Sequence, residues 1–193
     1  GVAGRFKLHL PIKSLADYGL QAKLAVKDAT LQLKGIDYVV SNVNGPLQLD
    51  RSRFSSGQID GRFLGEPISI RLRHPEAEEV GLTQIVEVMG TTPAPKVADA
   101  LRLPFANRYT GSVSWAARAL FPDLTSPASR QFEILVTSDL ENAAIDLPAP
   151  LFKAPESAEP MTASIRFPRA GEFEVVATTH SGIGANLSFG KAG

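Results

Sequence analysis

Polar and apolar side chains alternate along most of this chain. In "QAKLAVK", Ala22, Leu24 and Val26 share one parity while Lys23 and Lys27 take the other. In "PISIRLR", Ile68, Ile70 and Leu72 alternate with Ser69, Arg71 and Arg73, and the same rhythm returns in "GSVSWAA", "RQFEILVTS", "TASIRFPR" and "GEFEVVATT". A period of two sends successive side chains to opposite faces of an extended strand, so each stretch predicts a strand with one buried and one wet face. Glycine and proline break the rhythm at "VNGP", "SSGQ", "DGRFLGEP", "FPRAGE" and "HSGIG", where tight turns are expected. Connections this short cannot carry parallel crossovers. The predicted fold is therefore all-β and mainly antiparallel, a meander of about ten to a dozen strands.

One stretch departs from the rhythm. "PAPKVADALRLP" places Val97, Ala98, Ala100 and Leu101 at helical spacing, with Pro95 near the start and Pro104 at the end, and predicts one helix of about two turns. "AARALFP", from Ala116, reads better as a continuation of the strand through Trp115. Residues 1–193 read as a single segment, with room for a subdivision near 80–108 at the short helix. Both ends read as points inside a longer protein, and the amino terminus shows no leader-like pattern.

Composition narrows the partners. Twenty Lys and Arg balance twenty Asp and Glu, so the basic excess that binds a polyphosphate backbone is lacking, and nucleic acid is excluded as a partner. Apolar runs last a few residues, far short of the roughly 20 that span a bilayer as a helix. The absence of cysteine removes disulfides and thiolate metal sites, but it fits a reducing cytosol and a periplasm equally.

Motifs for covalent chemistry are weak throughout. His9, His74 and His180 each stand without a second histidine at coordinating spacing, so no metal site and no cofactor is expected. Ser138 and Asp139 are adjacent, and neighbours on a strand face opposite ways. They read as a strand terminus in which the aspartate accepts backbone hydrogen bonds, not as part of a nucleophilic triad. Glu141 with Asp146 lies across a turn, and Glu172 with Glu174 shares one strand face, as solvated carboxylates often do. "GRFLGEP" lacks the lysine and hydroxyl ending of a phosphate loop. The chain is read as a non-enzyme.

"SDLENAAIDLPAPLFK" places Ile145, Leu147, Leu151 and Phe152 around two prolines, and that apolar surface needs somewhere to go. The pattern Ser138, Asp139, Leu140, then Ile145, Asp146, Leu147, Pro148, Pro150, Leu151 and Lys153, then Pro160 and Met161, resembles the YhdP family. These are very large AsmA-like, TamB-related proteins of Gram-negative envelopes. Gly111 four residues before Trp115 and the run "VNGPLQLDRSRFSSGQIDGRFLGEPISIRL" resemble the same family, and the likeness extends from about Leu20 onward. The chain departs from the pattern at Asn142, where the family's turn has glycine; asparagine tolerates the left-handed conformation better than other side chains.

The resemblance implies an inner-membrane-anchored protein whose periplasmic part is a long, curled β-sheet with a phospholipid groove, serving outer membrane biogenesis. Its partners at the inner and outer membranes would bind through parts outside this segment. The residues independently favour a curled, twisted sheet forming an open apolar groove, because half-wet strands need a cover and one short helix cannot cover them all. An acyl chain of roughly 16 carbons loses on the order of 12 kcal/mol when drawn into water, at about 0.8 kcal/mol per methylene, and an apolar trough offsets most of that. Strand parity selects Leu24, Val26, Leu47, Leu49, Ile68, Ile70, Val113, Trp115, Ile134, Val136, Ile165, Phe167 and Val175 as its lining. Ile145, Leu147, Leu151 and Phe152 are expected to be buried on the groove side as a flap. The competing reading is a closed β-sandwich that recognises glycan or protein, which predicts a filled interior and exposed aromatics among Tyr18, Tyr38, Tyr109 and Trp115.

Overall fold

The computed structural model describes residues 2–9, 19–32, 38–50, 53–126, 131–169 and 172–189. The strands are β1 (Val2–His9), β2 (Gly19–Gln32), β3 (Val39–Asp50), β4 (Arg53–Ser56), β5 (Ile59–Phe63), β6 (Glu66–Arg73) and β7 (Leu82–Pro93). The helix α1 (Ala94–Ala100) and a 3-10 turn at Ala106–Arg108 follow. The chain then forms β8 (Tyr109–Pro122), β9 (Glu133–Ser138), β10 (Ala143–Ile145), β11 (Met161–Arg169), β12 (Glu172–Thr179) and β13 (Gly184–Phe189).

These strands build one sheet in the order β1-β2-β3-β5-β6-β7-β8-β9-β11-β12-β13, with β4 on β3 and β10 on β8. Every ladder is antiparallel. Among the described residues β1 pairs only with β2 and β13 only with β12, so the sheet is open. A closed sandwich therefore does not describe it. The count exceeds the expected dozen because β4 and β10 lie off the main path as short second partners of long strands.

The predicted turns hold at the Leu64–Gly65 hairpin and at "HSGIG", but "SSGQ" bends without reversing, since β4 and β5 follow one another antiparallel to β3; Ala170 and Gly171 of "FPRAGE" lie outside the described residues, as does Tyr18. "VNGP" does not turn. It lies inside β3, where a register shift between Ser41 and Asn44, with Asn42 at φ +51°, absorbs the break and pairing with β2 continues through Pro46 and Leu47. A matching offset in β2 around Asp28, at φ +47°, keeps both strands in phase. These bulges let one face stay apolar although the spacing of the sequence slips.

The helix is short. Seven residues cannot sustain an isolated helix in water, and no side chain caps its start. It is held by tertiary contacts: Ala94 and Ala98 are buried, Lys96 pairs with Glu66 at 2.6 Å, and the Tyr38 hydroxyl donates to the Ala100 carbonyl. Ala94 packs with Val113 and Ala143, and with Val97, Tyr109, Trp115 and Leu140 around them, so α1 covers the apolar face at one end of β8.

The opposite face is charged. Arg73 meets Glu79 at 2.7 Å and Glu87 at 2.6 Å, and the Arg73 guanidinium holds the Glu79 carboxyl down to about 2.

Candidate functional site

Cross-strand register brings the parity-selected positions to one face. Leu24 pairs with Leu47; Ile68 and Ile70 pair with Gly61 and Ile59 on one side and with Gly90 and Val88 on the other. Trp115 and Val113 oppose Gly90 and Thr92. Val136 and Ile134 oppose Ala117 and Ala119, and Ile165 lies between Ile134 and Val175. Leu49 and Val26 share the parity of Leu47 and Leu24, and Phe167 that of Ile165. The structure thus collects all of these side chains, and not their charged neighbours, on a single surface.

That surface has two halves of different character. Between β3 and β8 it is packed. Val43, Ile59, Ile68 and Ile70 form a buried cluster, with Val26, Ala29, Val40, Phe63, Leu72, Val86, Val88 and Trp115 against it. Phe63 and Trp115 sit on strands three intervals apart, about 14 Å at ~4.8 Å per interval, yet their ring centroids are 5.9 Å apart. The two rings lean together over β6 and β7, and Tyr38 adds an edge contact to Phe63 at 6.1 Å. Gly90 makes this possible: a Cβ there would lie 2.9 Å from Ile68 Cγ2 and 3.1 Å from Trp115 Cζ2. The indole nitrogen of Trp115 donates to Thr92 Oγ1 at 3.0 Å, which satisfies the one polar atom of the ring.

From β8 to β13 the cover is uneven, and Val175 and Ala163 are buried there. Ile134, Val136, Ile165 and Phe167 are half-buried, and α1 does not extend over them. Along one end of these strands runs a row of phenylalanines: Phe121 to Phe132 at 5.0 Å, Phe132 to Phe167 at 5.3 Å, Phe167 to Phe173 at 6.3 Å and Phe173 to Phe189 at 4.5 Å. Sequence reasoning found only Phe167. The signal was present for Phe132 and Phe173, which stand two positions from Ile134 and Val175, but not for Phe121 and Phe189, which have no selected lining residue two positions away.

These features describe an open sheet with a continuous apolar face, and a family model described as YhdP protein matches residues 2–193. The chain belongs to the YhdP family. No curated protein and no solved structure matches it significantly. Membership in the YhdP family suggests AsmA-like lipid transport in a bacterial envelope.

The residues that carry the YhdP resemblance cluster where β8, β9 and β10 meet. Ser138 ends β9; its hydroxyl donates to the Ser114 carbonyl at 2.7 Å and accepts from the Leu140 amide at 3.0 Å. Asp139 accepts from the Glu141 amide at 3.0 Å. Both side chains are engaged in the turn, as their adjacency predicted. Asn142 takes φ +67°, the left-handed conformation its substitution for glycine required. Gly111, at φ +79°, lies so close to this turn that a Cβ would fall 1.9 Å from the Asn142 carbonyl oxygen.

The burial expected of the flap is not met at all four positions. Ile145 and Leu147 are half-buried, but Leu151 is 47% and Phe152 61% exposed. Leu151 sits in a turn closed by its amide on the Pro148 carbonyl at 3.0 Å, and at Phe152 the cause is Lys153. Ile145 and Lys153 exchange two backbone hydrogen bonds of 3.0 Å, and the lysine turns inward, its Nζ donating to the carbonyls of Ala143 at 2.7 Å and Ala154 at 3.1 Å. Its neighbour Phe152 must then point out. Burial pushes the Lys153 ammonium below its usual pKa, against the raising influence of Glu159, Asp139, Glu156 and Glu141.

The opposite face carries a broad, open depression of about 950 Å³, where Pro67, Met89, Ala116 and Pro160 stand among polar side chains such as Asp60 and Thr162. No group of three or more metal-ligating side chains occurs among the described residues, and no helix there is long and apolar enough to cross a membrane.

Proposed function

We propose that this chain is a segment of a bridge-like lipid transporter, along whose apolar face phospholipid crosses the periplasm toward the outer membrane without covalent chemistry. The observation that carries this reading is the single apolar face that the main-path strands from β2 to β13 share in an open sheet, with Ile134, Val136, Ile165 and Phe167 only half-buried. A surface of that kind exchanges acyl contacts with water for acyl contacts with side chains at every strand, so a lipid can advance without a large barrier at any one step. The chain's zero formal net charge gives a headgroup no strong trap on the way. Membership in the YhdP family supports the same activity.

Extraction of the purified protein followed by mass spectrometry tests it. Phospholipid is expected to copurify and to exchange with added vesicles. Protein that carries no lipid, and takes none up from vesicles, would remove the reading.

A further inference from the structure

The helix α1 stands at the boundary between the packed half of the apolar face and the half-buried one. What it covers there is apolar or aromatic: Val113 and Ala143 are buried beneath it, with Tyr109, Trp115 and Leu140 around them. What it presents to them is small, Ala94 and Val97. An acyl chain carries many more carbons than these two side chains and can replace their contacts in full.

The hold on α1 is peripheral. Its start has no side-chain cap, and its ion pair, Lys96 with Glu66 at 2.6 Å, lies where water reaches it and adds little. Lys96 also donates to the Leu64 carbonyl at 3.3 Å, and the Tyr38 hydroxyl to the Ala100 carbonyl, so these ties run to the β5–β6 hairpin and to the lead into β3. The exit from the helix is strained. Arg102 occupies, at φ +51°, the left-handed place after a helix that glycine usually takes, and Phe105 follows at φ +59°. A residue with a Cβ keeps that conformation only where its surroundings impose it, so two of them in one short connection make a hinge that gains by release.

Resting on the conduit reading above, we propose that α1 is a lid over an acyl-chain site at the start of β8, lined by Val113, Trp115, Leu140 and Ala143 and closed in this structure. The site adjoins the half-buried face: Val136 on β9 pairs with Ala117, two positions from Trp115. Lifting of α1 about Arg102 and Phe105 opens the site to a chain lying on Ile134 and Val136, and extends the lipid path along β8 while the cluster around Ile68 stays packed.

Photolabelling of the intact protein tests the lid. The probe is a phosphatidylethanolamine with a diazirine at the acyl end, in vesicles of phosphatidylethanolamine and phosphatidylglycerol, and labelled residues are mapped by mass spectrometry. The chain has no cysteine, so Lys96→Cys with Glu66→Cys supplies the only two thiols, through which a bis-maleimide ties α1 to the β5–β6 hairpin. Before cross-linking, label is expected at Val113, Leu140 and Ala143 as well as at Ile134 and Ile165. After it, label at the first three should fall about tenfold, while Ile134 and Ile165 keep theirs. Arg102→Gly relieves the closed form and should lower the same three labels several-fold against the unsubstituted protein. Label at Val113, Leu140 and Ala143 that is absent throughout, or equal with and without the cross-link, overturns the lid and leaves the conduit standing. If the cysteine pair does not fold, the glycine variant is read in the same way. No label at Ile134 and Ile165 in any form overturns the conduit and the lid together.

Discussion

Gly111 shows how one missing side chain fixes a junction. Its φ of +79° costs a residue with a Cβ about 1–2 kcal/mol, and the Asn142 carbonyl oxygen occupies the place the Cβ would take, 1.9 Å away. That carbonyl also accepts from the Ser112 amide at 3.1 Å, so the contact is part of the β8–β10 junction. Gly111→Ala is expected to cost more than about 2 kcal/mol, read from the urea midpoint, with faster hydrogen exchange at the Ser112 amide. Asn142→Gly, at φ +67°, should shift the midpoint by less than about 1 kcal/mol in either direction. An alanine at 111 that left the midpoint unchanged would mean the junction yields easily and the glycine is incidental.

At the scale of elements, α1 is stable only where it sits. Ala98 is 1% exposed against the end of β8, and the helix is too short to persist alone. Ala98→Glu buries an unpaired carboxylate, which costs several kcal/mol unless the helix lifts away. Detachment is the expected outcome: the Leu101 and Leu103 amides, which donate to Val97 and Ala98 carbonyls, should lose exchange protection while β11 and β12 keep theirs. Protection retained at both amides would show that α1 does not depend on this contact. The helix and most of the strands were legible because period and punctuation are local properties, and "PAPKVADALRLP" and "PISIRLR" carry both. Which side chains share one face was legible by parity for the same reason. What escaped depended on partners remote in sequence. "VNGP" looks like a turn until β2 and β5 are laid beside it, and β10 is three residues whose strand character exists through Tyr109 to Gly111 and the bridge to Lys153. Phe152 could be placed only once Lys153 was known to turn inward.

At the scale of the whole molecule, the apolar face does two incompatible jobs, and the structure separates them along the sheet. A surface that stabilises the fold must bury itself, whereas a surface that carries lipid must stay available. Ile68, 5% exposed, belongs to the cluster closed by Phe63 and Trp115. Ile134 and Ile165, paired across β9 and β11, remain half-buried beyond that cluster and beyond α1. Ile68→Asp should therefore unfold the packed half, at more than about 3 kcal/mol, because its charge reaches neither water nor a partner. Ile134→Asp and Ile165→Asp can turn their carboxylates toward the open side, so each should cost about 1–2 kcal/mol and leave the circular dichroism spectrum intact. Lipid exchange with vesicles should nevertheless fall sharply in the double variant, since acyl chains must cross two ions held at the middle of their path. Equal loss of stability at positions 68, 134 and 165 would show that the two halves are one closed core, and exchange that survives the double variant would put the lipid path elsewhere.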